Sequence, residues 1–175
     1  MISMKNNKLN ITFCGMMGSG KSIIGNKFAQ IINFNFIDTD DLIEKKTNKT
    51  INQIFEQYGE NYFRNLEEKF ITKILDKKNY VFSLGGGVMN NPKLRKIIKK
   101  NSYNIYLKVS NNILAKRINY SKKRPLIKNT NINKKIDELI KKREIYYNKA
   151  DLILKNDEDI KSILNQLKTK LNIYD

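Results

Sequence analysis

Leu9-Asn10-Ile11-Thr12-Phe13-Cys14-Gly15-Met16-Met17-Gly18-Ser19-Gly20-Lys21-Ser22 is the stretch that decides how this chain folds. Its first part, Leu9 to Cys14, is a short apolar run carrying β-branched and aromatic residues, which reads as a buried strand. Its second part satisfies G-x-x-x-x-G-K-[ST] and lies directly after that strand, at the mouth of a helical segment running from Lys21 to Ile31. The glycines let the backbone turn and aim its amides at phosphate oxygens, and the positive end of the following helix adds to the attraction. Lys21 is placed to reach the β- and γ-phosphates of a nucleotide, and the Ser22 hydroxyl to coordinate magnesium. A plain glycine-rich turn with an exposed lysine would not need this placement between strand and helix.

Outward from this stretch, short apolar runs alternate with longer segments of helical period. Four more strands are expected at Asn35 to Asp38, Tyr80 to Leu84, Asn104 to Val109 and Asp151 to Leu154. Helices are expected over Asp41 to Lys46, Asn52 to Tyr58, Asn61 to Lys77, Pro92 to Lys100, Asn111 to Tyr120, Ile132 to Asn148 and Asp157 to Leu171. The helix from Asn61 has the clearest apolar stripe, with Phe63, Leu66, Phe70 and Ile74 at three- and four-residue intervals. Strands alternating with helices imply an α/β domain with a mainly parallel sheet. Ser121 to Asn133 is polar and basic and is interrupted by Pro125, the composition of a flap over a site rather than of a core. With no internal repeat and no linker rich in Pro, Gly or Ser, residues 1–175 are read as one domain with a lid at about 120–133.

The composition narrows the chemistry. A chain of 175 residues, 40% hydrophobic, can bury a core without disulfides or a structural metal. The one cysteine, Cys14, has no partner for an internal disulfide, and a lone thiol in an apolar run suits a buried role in a reducing compartment. The polar start has no signal-peptide core, and no run approaches a membrane span, so a cytoplasmic protein with no membrane partner is expected. The formal charge of +17 reflects 34 Lys and Arg against 17 Asp and Glu, but the lysines are scattered through every segment. A nucleic-acid surface would need basic residues on one face with exposed aromatics between them, and the nine tyrosines are too widely spread. Without histidine, a His-based triad, a histidine base and most catalytic zinc sites are excluded.

Candidates for the phosphoryl acceptor's site lie at later strand ends, where open α/β sheets bind ligands. Asp38-Thr39-Asp40 closes the second strand, and period-two alternation puts both carboxylates on one face if the chain stays extended. Asp38 could then hold magnesium, directly or through water, while Asp40 faces the acceptor hydroxyl; helix capping is the alternative for Asp40. Arg64 and Glu67 are three apart on one helix face, where a surface pair would contribute only about 0.2–0.5 kcal/mol. Their functional reading is a guanidinium oriented by a carboxylate to grip an anion. Gly85-Gly86-Gly87 follows the third strand and offers a backbone surface to a ligand. Arginine is the minority cation, at 64, 95, 117, 124 and 143 only, which suggests it is kept where planar, bidentate geometry matters. Asn148-Lys149-Ala150-Asp151 spells the N-K-x-D by which GTPases read guanine, but it follows a charged helix end rather than an apolar strand, and no D-x-x-G precedes it.

In order along the chain, G-x-x-G-x-G-K-S, D-T-D, F-R-x-x-E, G-G-G, R-P-L and a late R-x-x-x-Y resemble the shikimate kinases, from Leu9 to about Asp151. The resemblance implies a three-layer α/β/α fold of P-loop NTPase type, with a five-stranded parallel sheet and a mobile lid. It implies transfer of a phosphoryl group from ATP to the 3-hydroxyl of shikimate, with Mg²⁺; a monomer is the default expectation. Gly15, Gly18, Ser19, Gly20, Lys21, Ser22 and Ile23 would bind ATP, with Ser22 and Asp38 on the metal. Arg64 and Arg143 would grip the shikimate carboxylate, Glu67 would support Arg64, and Gly85, Gly86 and Gly87 would line the pocket. Asp40 would be the base, Arg124 would come down with the lid onto the transferring phosphate, and Arg117 would stack on adenine. Gly25 would let the first helix pack on the sheet. One departure falls after the last strand, where the family often carries an arginine and a proline around adenine and this chain has Lys155-Asn156-Asp157. A gluconate or nucleoside monophosphate kinase of the same fold is the nearest rival, and paired arginines with G-G-G and D-T-D favour a carboxylated polyol.

Overall fold

A computed structural model describes residues 10–119, 132–157 and 159–173; Leu9, most of the expected lid, and Arg124 with it, lie outside them. Five strands form one sheet: β1 (Asn10–Cys14), β2 (Asn35–Asp38), β3 (Tyr80–Ser83), β4 (Tyr103–Lys108) and β5 (Leu152–Lys155). Their order is β2-β3-β1-β4-β5 and every pairing is parallel. The phosphate loop thus leaves the central strand. All five residues of β1 are buried, as expected of a strand covered on both faces.

The helices are α1 (Lys21–Ile31), α2 (Thr39–Thr47), α3 (Ile51–Ile74), α4 (Pro92–Asn101), α5 (Asn111–Asn119), α6 (Ile132–Tyr147) and α7 (Ile160–Lys170), with a 3₁₀ turn at Val88–Asn90. On one face of the sheet Phe28 of α1 and Ile163 and Leu167 of α7 pack on Ile11, Phe13, Val81 and Ile105. On the other, Ile71 of α3, Leu94 and Ile98 of α4 and Ile136 and Tyr147 of α6 pack on Phe82 and Tyr106. Two apolar clusters on opposite faces make the three layers that the sequence led us to expect. A Cβ at Gly25 would lie 2.9 Å from the Phe36 ring, so α1 approaches the sheet as closely as expected. Among the described residues no helix is long and apolar enough to cross a membrane.

Two expectations need correction. The chain does not stay extended through Asp40: Asp38 is the N-cap of α2, its Oδ1 accepting from Asp40 N at 3.0 Å, and Asp40 sits in the first helical turn. Asp38 therefore does the capping considered for Asp40, and helix geometry, not strand alternation, turns Asp40 toward the site. The two helices expected on either side of Gly59 abut in α3, with the break at Gly59 itself (φ 80°, ψ 173°). The part of α3 before this break and α2 enclose a small core of their own, Ile43 and Ile54 with Phe63, beside the main sheet.

Candidate active site

The phosphate loop rises from β1 between β3 and β4. Gly15 has φ 138°, and a Cβ there would fall 2.7 Å from Leu107 O, so the first turn out of the strand requires glycine. Lys21 is buried, and its Nζ donates to Gly15 O at 3.1 Å and Met16 O at 2.9 Å. Asn156, just past β5, donates from Nδ2 to Ser19 O at 2.6 Å and holds the loop from the side. Sequence reasoning saw only a departure at this position.

Ser22 Oγ donates to Asp38 Oδ2 at 2.6 Å and lies 3.4 Å from Ser83 Oγ. Asp38 and Ser83 are register partners in β2 and β3, so the sheet itself sets this cluster. A hydroxyl beside a single carboxylate, next to a phosphate loop, is the hard-oxygen donor set that suits magnesium, which takes its remaining ligands from phosphate and water. Among the described residues no three His, Cys, Asp or Glu side chains gather to hold a metal without such outside ligands.

A cavity of about 290 Å³ opens beside the loop. It brings together Lys21, Ser22, Asp38, Asp40, Arg64, Glu67, Gly85, Gly86, Gly87 and Arg143, contributed by five separate segments of chain. Ile51, Phe55 and Phe63 add an apolar wall that sequence analysis did not assign to the site, although Phe63 opens the F-R-x-x-E motif and lies in the helical stripe. Both arginines press against the glycine loop: a Cβ on Gly87 would lie 2.5 Å from Arg64 Nη1, and one on Gly86 3.3 Å from Arg143 Nη1. Any side chain at Gly87 would displace the Arg64 guanidinium. Gly85 N donates to Thr39 Oγ1 at 2.9 Å, so the middle residue of D-T-D braces the glycine loop. A Cβ on Gly85 would lie 2.5 Å from Asp40 Oδ1 and 3.0 Å from Glu67 Oε1, which puts both carboxylates at the loop's first residue.

Arg143 is 4% exposed and the Glu67 side chain 2%, so these two are withdrawn from water, whereas Arg64, Asp38 and Asp40 are half-buried. Arg64 Nη1 donates to Glu67 Oε2 at 2.8 Å, and its other nitrogens to Glu60 Oε1 at 3.0 and 3.2 Å. Burial pushes the Glu67 carboxyl above its ordinary value, and Arg64 and Arg143 offset that only in part. Burial works against charge on Arg64, but Glu67 and Glu60 more than compensate and hold it firmly cationic.

A second cavity, of about 450 Å³, lies on the far side of the phosphate loop, lined by Gly18, Gly20, Ile23, Arg117, Asn156 and neighbours. Arg117 donates to Gly18 O at 3.5 Å and to Asn156 O at 3.3 Å, at the rim of this space. Two features read as possible chemistry are structural. Arg95 donates through Nη1 to Met89 O at 2.7 Å and Asn90 O at 2.8 Å and stacks 4.2 Å from the Tyr146 ring centroid, so its planar geometry anchors the 3₁₀ turn. Asp151 of the N-K-x-D match accepts from Asn104 N at 2.8 Å through Oδ2 and joins α6 to β5, away from both cavities.

A parallel sheet of this order, with a phosphate loop after its central strand and an anion-binding cavity alongside, defines a P-loop phosphotransferase. Comparison with known proteins gives the particular one. The family model for shikimate kinase matches residues 17–172. The shikimate kinase of Caldanaerobacter subterraneus subsp. tengcongensis is 38% identical over 159 residues, covering 90% of this chain and 93% of the relative. That of Thermoanaerobacter pseudethanolicus is 42% identical over 142 residues, covering 81% and 83%. The structure of shikimate kinase from Acinetobacter baumannii in complex with shikimate superposes with a TM-score of 0.90 at 29% identity, over 95% of this chain and 94% of that one. The chain belongs to the shikimate kinase family.

Proposed function

We propose that the chain transfers the γ-phosphoryl group of ATP to the 3-hydroxyl of shikimate, with Mg²⁺, giving shikimate 3-phosphate. The observation that carries this reading is the pair of guanidiniums, Arg64 and Arg143, converging on one glycine loop in a cavity that also holds Asp40 and Lys21. A buried Arg143 beside a half-buried Arg64 suits a carboxylate, and a small cavity with one apolar wall suits a cyclic polyol better than a nucleotide base.

In this reading Arg64 and Arg143 hold the acceptor's carboxylate, and Glu67 keeps the Arg64 fork in plane. That leaves the acceptor's ring against Ile51, Phe55 and Phe63 and its hydroxyl toward Asp40, which takes the hydroxyl proton as the new P–O bond forms and the bond from the γ-phosphorus to ADP breaks. Lys21 lies between the two cavities and neutralises charge on the group in flight. Ser22 and Asp38 would hold Mg²⁺, which would supply charge neutralisation to the nucleotide phosphates. Arg124 takes its role at the transferring phosphate from the R-P-L motif of the family. Arg117 and Ile23 frame the space for adenine, with Asn156 in place of the family's more usual residues. We read the protein as a single-domain, cytoplasmic monomer without a nucleic-acid partner, a reading supported by the buried lone thiol and the scattered lysines.

The test is ADP release from Mg-ATP with shikimate, against gluconate, nucleoside monophosphates and no acceptor. Turnover dependent on shikimate is expected. Turnover with another acceptor alone, or none above the acceptor-free rate, overturns the assignment of Arg64, Arg143 and Asp40 while leaving the phosphate loop intact.

A further inference from the structure

The late R-x-x-x-Y motif contributes Arg143 to the acceptor cavity, but nothing so far gives Tyr147 a task. Tyr147 is the last residue of α6 and 1% exposed, beneath the glycine loop. Its hydroxyl donates to Gly86 O at 2.5 Å and lies 3.9 Å from Met16 Sδ of the phosphate loop. Its ring packs on Tyr106 of β4, centroids 5.1 Å apart, which leaves the side chain little freedom to move. One helix turn earlier on α6, Arg143 reaches the same glycine.

Backbone stereochemistry gives this contact a consequence. The carbonyl of Gly86 and the N–H of Gly87 belong to one trans peptide plane and point in opposite directions. Anchoring Gly86 O on Tyr147 therefore turns the Gly87 N–H away from α6. The two flanking carbonyls of the loop are also taken, Gly85 O by Val88 N at 3.1 Å and Gly87 O by Asn90 N at 2.9 Å. The Gly87 N–H has no acceptor among the described residues, and Gly87 lines the cavity. A Cβ on Gly86 would lie 3.5 Å from Met17 N, so the loop that Tyr147 anchors rests directly on the phosphate loop.

We propose that Tyr147 is a positioning residue for the acceptor: its hydroxyl, by holding Gly86 O, keeps the Gly87 amide presented to shikimate and in register with the phosphate loop. The proposal rests on the shikimate reading of the cavity. Tyr147→Phe keeps the ring and removes the hydroxyl, leaving Gly86 O unpaired, the Gly86–Gly87 peptide free to rotate, and Arg143 without its contact to that hydroxyl. The neighbouring Tyr106 lines neither cavity, so Tyr106→Phe is the matched control.

The experiment measures kcat, the KM for shikimate and the KM for ATP in the full chain and both variants. For Tyr147→Phe the shikimate KM should rise about fivefold or more while the ATP KM stays within about twofold; Tyr106→Phe should change neither. An unchanged shikimate KM, equal changes in both constants, or the same shift in Tyr106→Phe overturns the proposal. Should Tyr147→Phe not fold, amide exchange in the unaltered chain decides: saturating shikimate should slow exchange at Gly87, and an unchanged rate overturns it. Failure of the shikimate reading itself would appear separately, as absence of shikimate-dependent turnover in the unaltered chain.

Discussion

Glu67 gives one carboxylate oxygen to Arg64, at 2.8 Å from its Nη1, and leaves the other, buried, without a hydrogen-bond partner among the described residues. A half-satisfied carboxylate so withdrawn from water destabilises the fold, since burying an unpaired polar oxygen costs about 1–3 kcal/mol. The free oxygen faces Gly85, where Asp40 also lies. Glu67 thus sits between the anion grip and the proposed base, and its protonation state bears on both.

Burial raises the Glu67 pKa above 4.5, so on acidification it takes up a proton before an ordinary glutamate does. The folded chain then binds this proton at a pH where the unfolded chain does not. Its contribution to stability accordingly declines as pH rises from the ordinary glutamate range through the raised value, and is level above it. Protonation releases Arg64 from its orientation, so the shikimate KM should climb on acidification through that same raised pKa. Glu67→Gln should abolish this step in the pH profile of KM while raising KM at neutral pH; a step that survives in the variant belongs to another group.

Asp40→Asn should lower kcat by about 10²–10⁴-fold, the usual contribution of a general base, with nucleotide affinity unchanged by calorimetry. Asp40 lies in the first turn of α2 and is not its cap, so the helix has no reason to unfold in this variant. A kcat within about threefold of the parent would remove Asp40 from the reaction.

Arg64→Ala removes a charge-assisted contact of about 2–3 kcal/mol, so the shikimate KM should rise at least about 30-fold with the ATP KM little altered. Arg64→Lys should recover only part of this, because an ammonium cannot present the planar fork that packs against Gly87. Full recovery by lysine would mean that charge alone suffices.

Gly59 interrupts α3 with φ 80° and ψ 173°, and a Cβ there would meet nothing within 4 Å. The cost of Gly59→Ala is therefore torsional, about 1–3 kcal/mol, and should appear as a lower urea midpoint with an unchanged slope. A stability equal to the parent's would show that the break tolerates an L side chain.

Cys14 is 1% exposed, and burial pushes its thiol up to about 12. It should stay unmodified by a thiol reagent in the native chain at neutral pH and react at once in denaturant. Reaction in the native state would contradict the packing of β1.

The order of strands and helices, the phosphate loop and most of the acceptor residues were legible along the chain, because each depends on local physics. Hydrophobic period separates β1 from α1, glycine spacing marks the loop, and Arg64 and Glu67, three apart, fall on one helix face. The two halves of α3 were visible for the same reason, since Gly59 halts any helical pattern. What stayed hidden depends on contacts between segments far apart in sequence. The cap that Asp38 gives Asp40 N is local, but Asp38 meets Ser22 only because parallel pairing brings β2 level with β3 and β3 level with β1. The motifs had already set Arg64 and Arg143 apart and given Arg95 no role, but only tertiary packing shows what each holds: Arg64 and Arg143 share a glycine loop, whereas Arg95 holds two carbonyls of a 3₁₀ turn. Asn156 on the phosphate loop and Tyr147 on Gly86 span 137 and 61 residues. No local pattern encodes such pairs, because a hydrogen bond across that separation exists only once the sheet has assembled beneath it.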